Sequence, residues 1–371
     1  MHVFFWALAN LLAVAGPTSL VDTFVGTSGT ATGGPIDTFP GADLPFGMVQ
    51  WSPDTPSQNA GGGYEYSDKQ ITGLSLTHLS GPGCNVFGDF GILPIAGALP
   101  SSPATASQPF SHASEQSAPG WYVVSLGEPA IRAELTVTMR TGIGRFTFPA
   151  TSQANLLVNV ASNQAGVLGS SVRIDGSNEI SGSATSGFFC GMPDQYTVYF
   201  VAQFDRPFRA HGTWQAARLF PDASSAQGPA AGAWLTFDAM QNREVRMKVG
   251  LSFVSTAGAR ANLAAESSGW NLIGERDRAT EKWSAMLHRI TIDGGTTLQQ
   301  RMFYSALYHT LLHPNVISDV TGEYRGFDGR VHRVAAGHAE YANYSDWDIY
   351  RTEVPLLALI APSETSDMVQ S

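Results

Sequence analysis

The sequence predicts a mostly β fold followed by α-helices, and two changes of pattern along the chain predict it. Between residues 121 and 255, short runs of Val, Thr, Tyr and Phe alternate with polar residues, as half-buried strands do. After Ala257, helix formers and paired charges take over, and apolar residues recur at helical spacing. Short strands at this spacing are typical of a β-sandwich or barrel and argue against a parallel α/β sheet.

The composition is that of a folded chain with a sizeable core. Hydrophobic residues make up 43% of the 371 residues and charged residues 14%, which excludes a disordered chain and a coiled coil. The 39 glycines and 21 prolines favour frequent turns over long helical bundles. The formal net charge of -10 argues against a nucleic-acid partner held through phosphate contacts.

The chain opens with the apolar run MHVFFWALANLLAVAG. This run is shorter than the ~20 residues of a membrane-spanning helix. It ends in Ala13-Val14-Ala15, a small-x-small pattern that is typical of signal-peptidase cleavage. We therefore expect residues 1–16 to be a signal peptide, and the protein to be secreted and free of the membrane after cleavage.

Both cysteines, Cys84 and Cys190, lie in Gly-rich loops. In a secreted chain such a pair predicts one disulfide. A zinc site is not expected, because neither cysteine has a second close Cys or His with zinc-ligand spacing. A disulfide at Cys84 also excludes a Cys/His nucleophile pair with His78.

The strand region is preceded by a loop-rich stretch, residues 17 to about 120, where few uninterrupted strands fit. The predicted strands follow, with hairpin turns at Arg140-Thr141-Gly142 and Asp175-Gly176. The predicted helices are ARANLAAESSGW, GERDRATEKWSAMLHRI, TTLQQRMFYSALYHTLLHP and SDWDIYRTEVPLLALIAP, and SETSDMVQS is the opening of one more. Pro314 stops the third of these helices, and Pro355 kinks the fourth or delays its start.

The common catalytic motifs are absent from the sequence: no phosphate-binding P-loop, GxSxG elbow, HExxH or EF-hand loop occurs. His309 and His313 form an i,i+4 pair on one predicted helix. Such a pair could supply two ligands of a metal site, but it is more often simply a polar part of a helix face. In YSDWDIYR, Asp348 is either a site residue or the partner of Ser345 in a capping box. Trp347 beside it serves packing more often than sugar stacking, and His78 either braces a loop or belongs to a site.

Several blocks resemble one known family in the order that the family has them. VDTFVGTSGT, IDTFPGADLPFGMVQWSPDT and GGGYEYSDKQITGLSLTHLSGPGC are similar to the N-terminal domain of glycoside hydrolase family 92, the calcium-dependent exo-α-mannosidases. MFYSALYHTLLHPNVISDVTGEYRGFDG and YSDWDIYRTEVPLLALIAP are similar to the start of its catalytic domain. The resemblance implies a β-supersandwich over residues 17–257, a helical linker over 258–295 and the first helices of an incomplete, truncated (α/α)6 barrel over 296–371.

The resemblance also implies a chemistry, the inverting hydrolysis of terminal α-mannosides of glycans with the help of calcium. Such a reaction needs a general acid and a general base about 6.5–9.5 Å apart. In the family layout, the acid, the base and most calcium ligands lie in later barrel helices. They are expected beyond residue 371, so no catalytic or metal residue is assigned and the chain alone is expected to be inactive.

The sugar-binding part of the family pattern, S-x-W-D-x-[YF]-R, is matched by Ser345, Trp347, Asp348, Tyr350 and Arg351, while Asp346 departs from it. Asp348 is expected to bond hydroxyls of the terminal mannose and to face a polar pocket near His78. The blocks around His78 and Phe39 resemble loops that reach over the barrel mouth. The predicted substrate-binding residues are therefore Asp348, Arg351, His78, Phe39 and Trp347.

Two other functions compete with this prediction. One is a non-catalytic carbohydrate-binding β-sandwich module, which would not need the helical half. The other is a phosphorylase of disaccharides that combines a sandwich with a helical barrel. Mannose-containing glycans are the expected partners under the leading hypothesis.

Overall fold

The computed structural model describes residues 16–28, 37–57 and 60–371. The predicted signal peptide lies outside these ranges except for Gly16, so the structure does not bear on it. In the described part of the chain, no helix has the length and apolar character needed to cross a membrane.

The strands and helices follow one another in the predicted order. The strands of the first part are β1 (Ser52–Asp54), β2 (Gln70–Ile71), β3 (Gly73–Ser75), β4 (Gly91–Ala96), β5 (Gln108–Pro109), β6 (Gln116–Ala118), β7 (Trp121–Leu126), β8 (Ile131–Val137), β9 (Thr141–Thr147), β10 (Ala154–Asn159), β11 (Gly169–Asp175), β12 (Glu179–Ser186), β13 (Tyr196–Phe204), β14 (Ala210–Gln215), β15 (Arg218–Pro221), β16 (Ser225–Gly228), β17 (Ala231–Phe237) and β18 (Glu244–Ser252). The remaining elements are α1 (Thr256–Glu266), α2 (Leu272–Leu287), α3 (Thr297–His309), β19 (Asn315–Val316), β20 (Glu323–Arg325), β21 (Val331–Arg333), β22 (Tyr341–Ala342), α4 (Asp346–Ile349), α5 (Glu353–Ile360) and α6 (Pro362–Gln370).

Two antiparallel sheets build the β domain. One has seven strands in the order β1-β3-β4-β10-β17-β14-β15, and the other has nine in the order β16-β11-β12-β13-β18-β9-β8-β7-β6. The sheets pack face to face: Phe204 at the end of β13 meets Phe237 at the end of β17 with ring centroids 5.4 Å apart. The sandwich that the alternating pattern predicts is therefore present.

Trp51, next to β1, fills the space between the two sheets. Its ring lies over β9 of the other sheet, where glycines leave room for it. A Cβ atom at Gly142 would be 2.6 Å from Trp51 Cε3, and one at Gly144 would be 2.7 Å from Trp51 Cη2. The indole N–H donates to the carbonyl of Leu74 at 3.1 Å, so this fully buried ring keeps its hydrogen bond.

The predicted disulfide is formed. Cys84 and Cys190 are joined with their Cα atoms 5.4 Å apart and 106 residues apart in sequence. The bond ties the loop that follows Ser80 to the loop between β12 and β13. Both ends lie at the surface of the β domain rather than in its core.

Side-chain caps start the first three helices. Ser255 and Asn271 accept hydrogen bonds from backbone amides in the first turns of α1 and α2, and Thr296 and Gln299 form a full capping box at α3. The helix predicted to run up to Pro314 ends earlier, with α3 closing at His309. The helix predicted from Ser345 onward is broken into α4 and α5, and Pro355 lies in the first turn of α5, where no amide donor is needed.

The helices are anchored to the β domain through buried contacts. The indole N–H of Trp283 in α2 donates to the carbonyl of Asp43 at 2.9 Å, and Trp283 packs on Tyr308 of α3 at 4.6 Å between ring centroids. The carboxylate of Asp319 accepts from Ser252 at the end of β18 and from Asn262 of α1. Apolar residues of the helices, Trp283 and Tyr308 among them, also belong to the same hydrophobic core as the sandwich.

Candidate active site

A short exposed helix, α4, and the turn that follows it carry three of the predicted sugar-binding residues. Trp347 is 81% exposed, and Asp348 and Arg351, at the end of α4 and just after it, are exposed as well. The guanidinium of Arg351 lies 5.3 Å from the centroid of the Tyr350 ring, and its Nε donates to the Tyr350 hydroxyl. An aromatic face, a carboxylate and a guanidinium thus stand together at the surface, and these groups can stack on and hydrogen-bond to a sugar.

Asp348 is held by the residue that was expected to cap its helix. The Ser345 hydroxyl donates to Asp348 Oδ2 at 2.5 Å, and the Asp348 amide donates to the Ser345 carbonyl at 2.9 Å. The Ser345 side chain accepts no backbone hydrogen bond, so the capping box is not formed. One carboxylate oxygen of Asp348 is consequently left facing solvent, in a position to accept from a ligand hydroxyl.

The structure places His78 and Phe39 inside the β domain. Both side chains are fully buried, and their rings pack on each other with centroids 5.4 Å apart. His78 Nδ1 lies 2.9 Å from the Gln50 carbonyl, and Nε2 lies 3.1 Å from Asp54 Oδ1. A fully buried ring offers no surface to a ligand, so in this conformation both residues support their loops, and sugar contact stays a prediction.

The expected approach of Asp348 to His78 is not observed. Within residues 37–57 and 60–371, no hydrogen bond, ion pair or ring contact joins the two side chains. Asp348 is exposed, whereas His78 is fully buried. The shared polar pocket therefore stays a prediction, and in this conformation the histidine ring is hydrogen-bonded to Gln50 and Asp54.

A chain of hydrogen bonds connects the two halves of the site by another route. The backbone amide of Ser80, two residues after His78, donates to Nε2 of His313 at 2.8 Å. Nδ1 of His313 lies 3.1 Å from Oδ1 of Asn315, and Asn343 also donates to that oxygen at 2.8 Å. Sequence analysis noticed His313 only as part of a histidine pair and missed Asn315 and Asn343, since no local pattern marks them.

Glu353, in the first turn of α5, is a second group that the sequence does not single out. Burial raises the pKa of its carboxyl to about 7, so that it is partly protonated at neutral pH. Its position two residues after Arg351 places it beside the exposed segment. Perturbed carboxyl groups of this kind concentrate at functional sites, although structural burial alone also produces them.

A cleft of about 980 Å³ lies elsewhere, between the β domain and the helices. It is lined by apolar residues such as Leu44, Val137 and Tyr341 and by charged residues of α2 and α6. None of the predicted sugar-binding residues lines it. The cleft is therefore separate from the Trp347–Arg351 surface.

The family resemblance implies calcium, which in proteins takes about six to eight oxygen ligands. Among the residues described here, no group of three or more His, Cys, Asp or Glu side chains could hold a metal ion. The described carboxylates, histidines and cysteines therefore do not by themselves supply a calcium site.

Sequence profiles identify both parts of the chain. Residues 20–252 match the Glycosyl hydrolase family 92 N-terminal domain, and residues 258–371 match the Glycosyl hydrolase family 92 catalytic domain. A curated relative, an uncharacterized secreted glycosidase of Arthroderma benhamiae, is 27% identical over 323 residues, which are 80% of this chain and 41% of that protein.

Solved structures agree with the profiles. A family GH92 α-mannosidase of Bacteroides thetaiotaomicron is 30% identical, with a TM-score of 0.88, and the match covers 96% of this chain and 49% of that one. An inverting family GH92 mannosidase of Bacteroides thetaiotaomicron VPI-5482 is 27% identical, with a TM-score of 0.85 and coverages of 96% and 48%. The chain thus spans about half the length of these relatives. Both halves of the sequence and the fold as a whole place this chain in glycosyl hydrolase family 92.

Proposed function

We propose that the chain forms the β domain and the opening helices of the catalytic domain of a secreted, exo-acting α-mannosidase that works with inversion. The observation that carries the proposal is the joint exposure of Trp347, Asp348 and Arg351 on α4 and the turn that follows it, in a fold shared with solved α-mannosidases. The family GH92 α-mannosidase of Bacteroides thetaiotaomicron was also solved in complex with mannoimidazole, so that relative binds this compound.

Each of the three residues has a role that its exposure permits. Asp348 accepts hydrogen bonds from two neighbouring hydroxyls of a terminal mannose, and a carboxylate does this better than a neutral acceptor. Arg351 donates to a ring or hydroxyl oxygen. Trp347 offers an apolar face to the C–H side of the sugar and screens the polar contacts from water.

Catalysis needs more than this surface supplies. Inverting hydrolysis requires a protonated carboxyl at the leaving oxygen and a carboxylate that activates water. We propose that these two groups, and the calcium ligands, are contributed by polypeptide that corresponds to the remaining half of the relatives, and that chain 1–371 alone binds mannosides without hydrolysing them.

Binding tests the first part of the proposal. Titration calorimetry with mannoimidazole should show binding to the purified chain and a loss of at least about tenfold in affinity in Asp348→Asn. Asp346→Asn is the matched control, because Asp346 is an equally exposed acid on the same helix that the family pattern does not use. Equal affinities of both variants and the wild type would remove Asp348 from the site.

Turnover tests the second part. Chain 1–371 should release no nitrophenol from 4-nitrophenyl α-mannoside, with or without added calcium. Hydrolysis at a rate comparable to that of an intact family member would overturn the division of roles. If hydrolysis occurs, proton NMR of the first-formed mannose identifies the anomer, and an α product would contradict inversion.

The competing function, a non-catalytic carbohydrate-binding module, makes a different prediction. Its site would lie on the sandwich and would be insensitive to Asp348→Asn. The match of residues 258–371 to a catalytic-domain profile supports the enzyme over the module.

A further inference from the structure

The proposed sugar-binding segment, residues 345–351, is mostly exposed, whereas the residues that precede it are held by hydrogen bonds to other parts of the fold. Six of the residues from 345 to 351 are exposed, the exception being Ile349. A segment with so few buried contacts does not fix its own position, because burial and packing are what make a conformation unique. Its place relative to the β domain must come from neighbours that are themselves fixed.

Asn343 is the nearest such neighbour. Its backbone has φ 68°, in the left-handed region, two residues before Ser345. Its side chain donates to Asn315 Oδ1 at 2.8 Å. After Asn343, the Tyr344 hydroxyl donates to the Met368 carbonyl of α6 at 3.0 Å. The first contact leads toward the β domain, and the second leads toward the helices.

The side-chain amide of Asn315 is fully hydrogen-bonded. Its Nδ2 donates to the carbonyls of Gly47 and Leu312 at 2.9 and 2.8 Å. Its Oδ1 faces Nδ1 of His313 and accepts from Asn343. Both donor positions and both acceptor positions of the amide are thus used, and Asn315 is only 3% exposed. Because carbonyl groups only accept hydrogen bonds, the side of the amide that faces the Gly47 and Leu312 carbonyls must be the nitrogen.

His313 completes the connection to the β domain. The Ser80 amide can only donate, so Nε2 of His313 must carry the lone pair and Nδ1 must carry the proton. That proton is directed at Asn315 Oδ1, which lies 3.1 Å away. The Ser80 hydroxyl in turn donates to Thr38, next to Phe39, at 2.9 Å. Every donor in this series meets an acceptor, so one neutral tautomer satisfies the whole series.

We propose that His313, Asn315 and Asn343 form a positioning relay that sets residues 345–351 at a fixed place relative to the β-domain loop at Ser80. The three are positioning residues, since their side chains bond one another and the backbone. The relay explains how loops that are more than 200 residues apart, Ser80 and His313 being separated by 233 positions, can belong to one site. The inference rests on the proposed function insofar as residues 345–351 bind the sugar.

The test uses Asn343→Gly and His313→Phe in chain 1–371. Glycine adopts the left-handed conformation freely, so Asn343→Gly keeps the backbone and removes only the side-chain bond. Asp222→Gly is the matched control, because Asp222 also has a positive φ, 59°, but lies in the exposed connection between β15 and β16 of the β domain.

Hydrogen exchange followed by mass spectrometry is the main readout. We expect either relay variant to speed exchange in residues 345–351 about tenfold, which corresponds to about 1.4 kcal/mol, while the control leaves it unchanged. The double variant should match the faster single variant instead of multiplying the two effects, because both break the same connection. Unchanged exchange in Asn343→Gly overturns the relay, even if His313→Phe proves too unstable to purify.

Mannoimidazole binding is the second readout. The relay variants should weaken it about tenfold with Asp348 intact, and the unfolding temperature of Asn343→Gly should stay within about 2 °C of the wild type. A wild-type chain that binds no mannoimidazole counts against the proposed function, whereas the exchange measurement still decides the relay. A uniform rise in exchange over the whole chain would mean general destabilisation and would also overturn it.

Discussion

The hydroxyl of Tyr308 donates a hydrogen bond to Asp43 Oδ1 at 3.0 Å, across the boundary between the β domain and α3. Asp43 is 1% exposed, and its Oδ2 has no hydrogen-bond partner among the described residues. Burial raises the pKa of this carboxyl to about 8. The boundary is therefore closed by a carboxyl group that stays protonated at neutral pH.

This relationship predicts how stability changes with pH. A carboxyl whose pKa is raised on folding from 3.8 to about 8 stabilises the protein fully below pH 3.8 and loses that contribution as pH rises through 8. Asp43→Asn has no proton to lose, so its unfolding free energy should lack this decline, which is at most about 1.4 kcal/mol per pH unit. Urea denaturation of both proteins at pH 5, 7 and 9 measures the difference. Parallel profiles would show that Asp43 is ionised in the folded state.

The contact of Trp51 with β9 predicts that adding a single methyl group there destabilises the protein. Gly144→Ala places a Cβ atom 2.7 Å from Trp51 Cη2 and 3.3 Å from Phe146, in a core that cannot expand locally. We expect a loss of about 1–3 kcal/mol in unfolding free energy. Gly169→Ala, in β11 of the same sheet, meets no atom within 4 Å and should be neutral or slightly stabilising. Equal effects of the two substitutions would contradict close packing at Trp51.

The disulfide predicts that the oxidised protein is more stable than the reduced protein. Because Cys84 and Cys190 are 106 residues apart, the bond restricts the unfolded chain strongly, and removing it should cost about 2–4 kcal/mol. The double variant Cys84→Ser/Cys190→Ser leaves no free thiol and is the cleaner measurement. Its denaturation midpoint should equal that of the wild type in excess dithiothreitol. A midpoint for the variant that matches the oxidised wild type would refute a stabilising role.

The sequence predicted the sandwich and the helices because their patterns are local. Most strands from β7 to β18 alternate or run apolar over about six to nine residues, as β11 and β13 do, and such runs are recognisable without any partner. Sequence analysis did not single out β4, a six-residue buried strand in the loop-rich part, because Pro94 within it favours a loop. The family blocks were likewise visible, because they are contiguous stretches of sequence.

The parts that sequence analysis missed depend on long-range contacts. A buried histidine and a ligand-facing histidine look alike in sequence, and only the Gln50 carbonyl and Asp54 decide that His78 points inward. The relay is hidden for the same reason, because Ser80 and Asn343 come together only through His313 and Asn315. Local patterns specify elements, whereas the side-chain partners between elements emerge from the packed fold.

The last prediction concerns the junction where Asp319 meets α1. Alanine usually stabilises a helix over glycine by about 1 kcal/mol. At Gly258, in the first turn of α1, the sign should reverse, because a Cβ atom would lie 2.1 Å from Asp319 Oδ2 and 2.6 Å from the Ser252 hydroxyl. These two atoms are hydrogen-bonded to each other at 2.8 Å, and Asn262 binds the other carboxylate oxygen at 2.7 Å.

We therefore expect Gly258→Ala to lower the unfolding free energy by about 1–3 kcal/mol, since a buried polar pair must separate to admit the methyl group. Gly269→Ala is the control, because a Cβ there meets nothing within 4 Å. Asp319→Ala in the Gly258→Ala background removes the clash, so the two substitutions together should cost less than the sum of their separate effects. Chemical denaturation of the four proteins measures the coupling, and strict additivity would show that Asp319 does not constrain the start of α1.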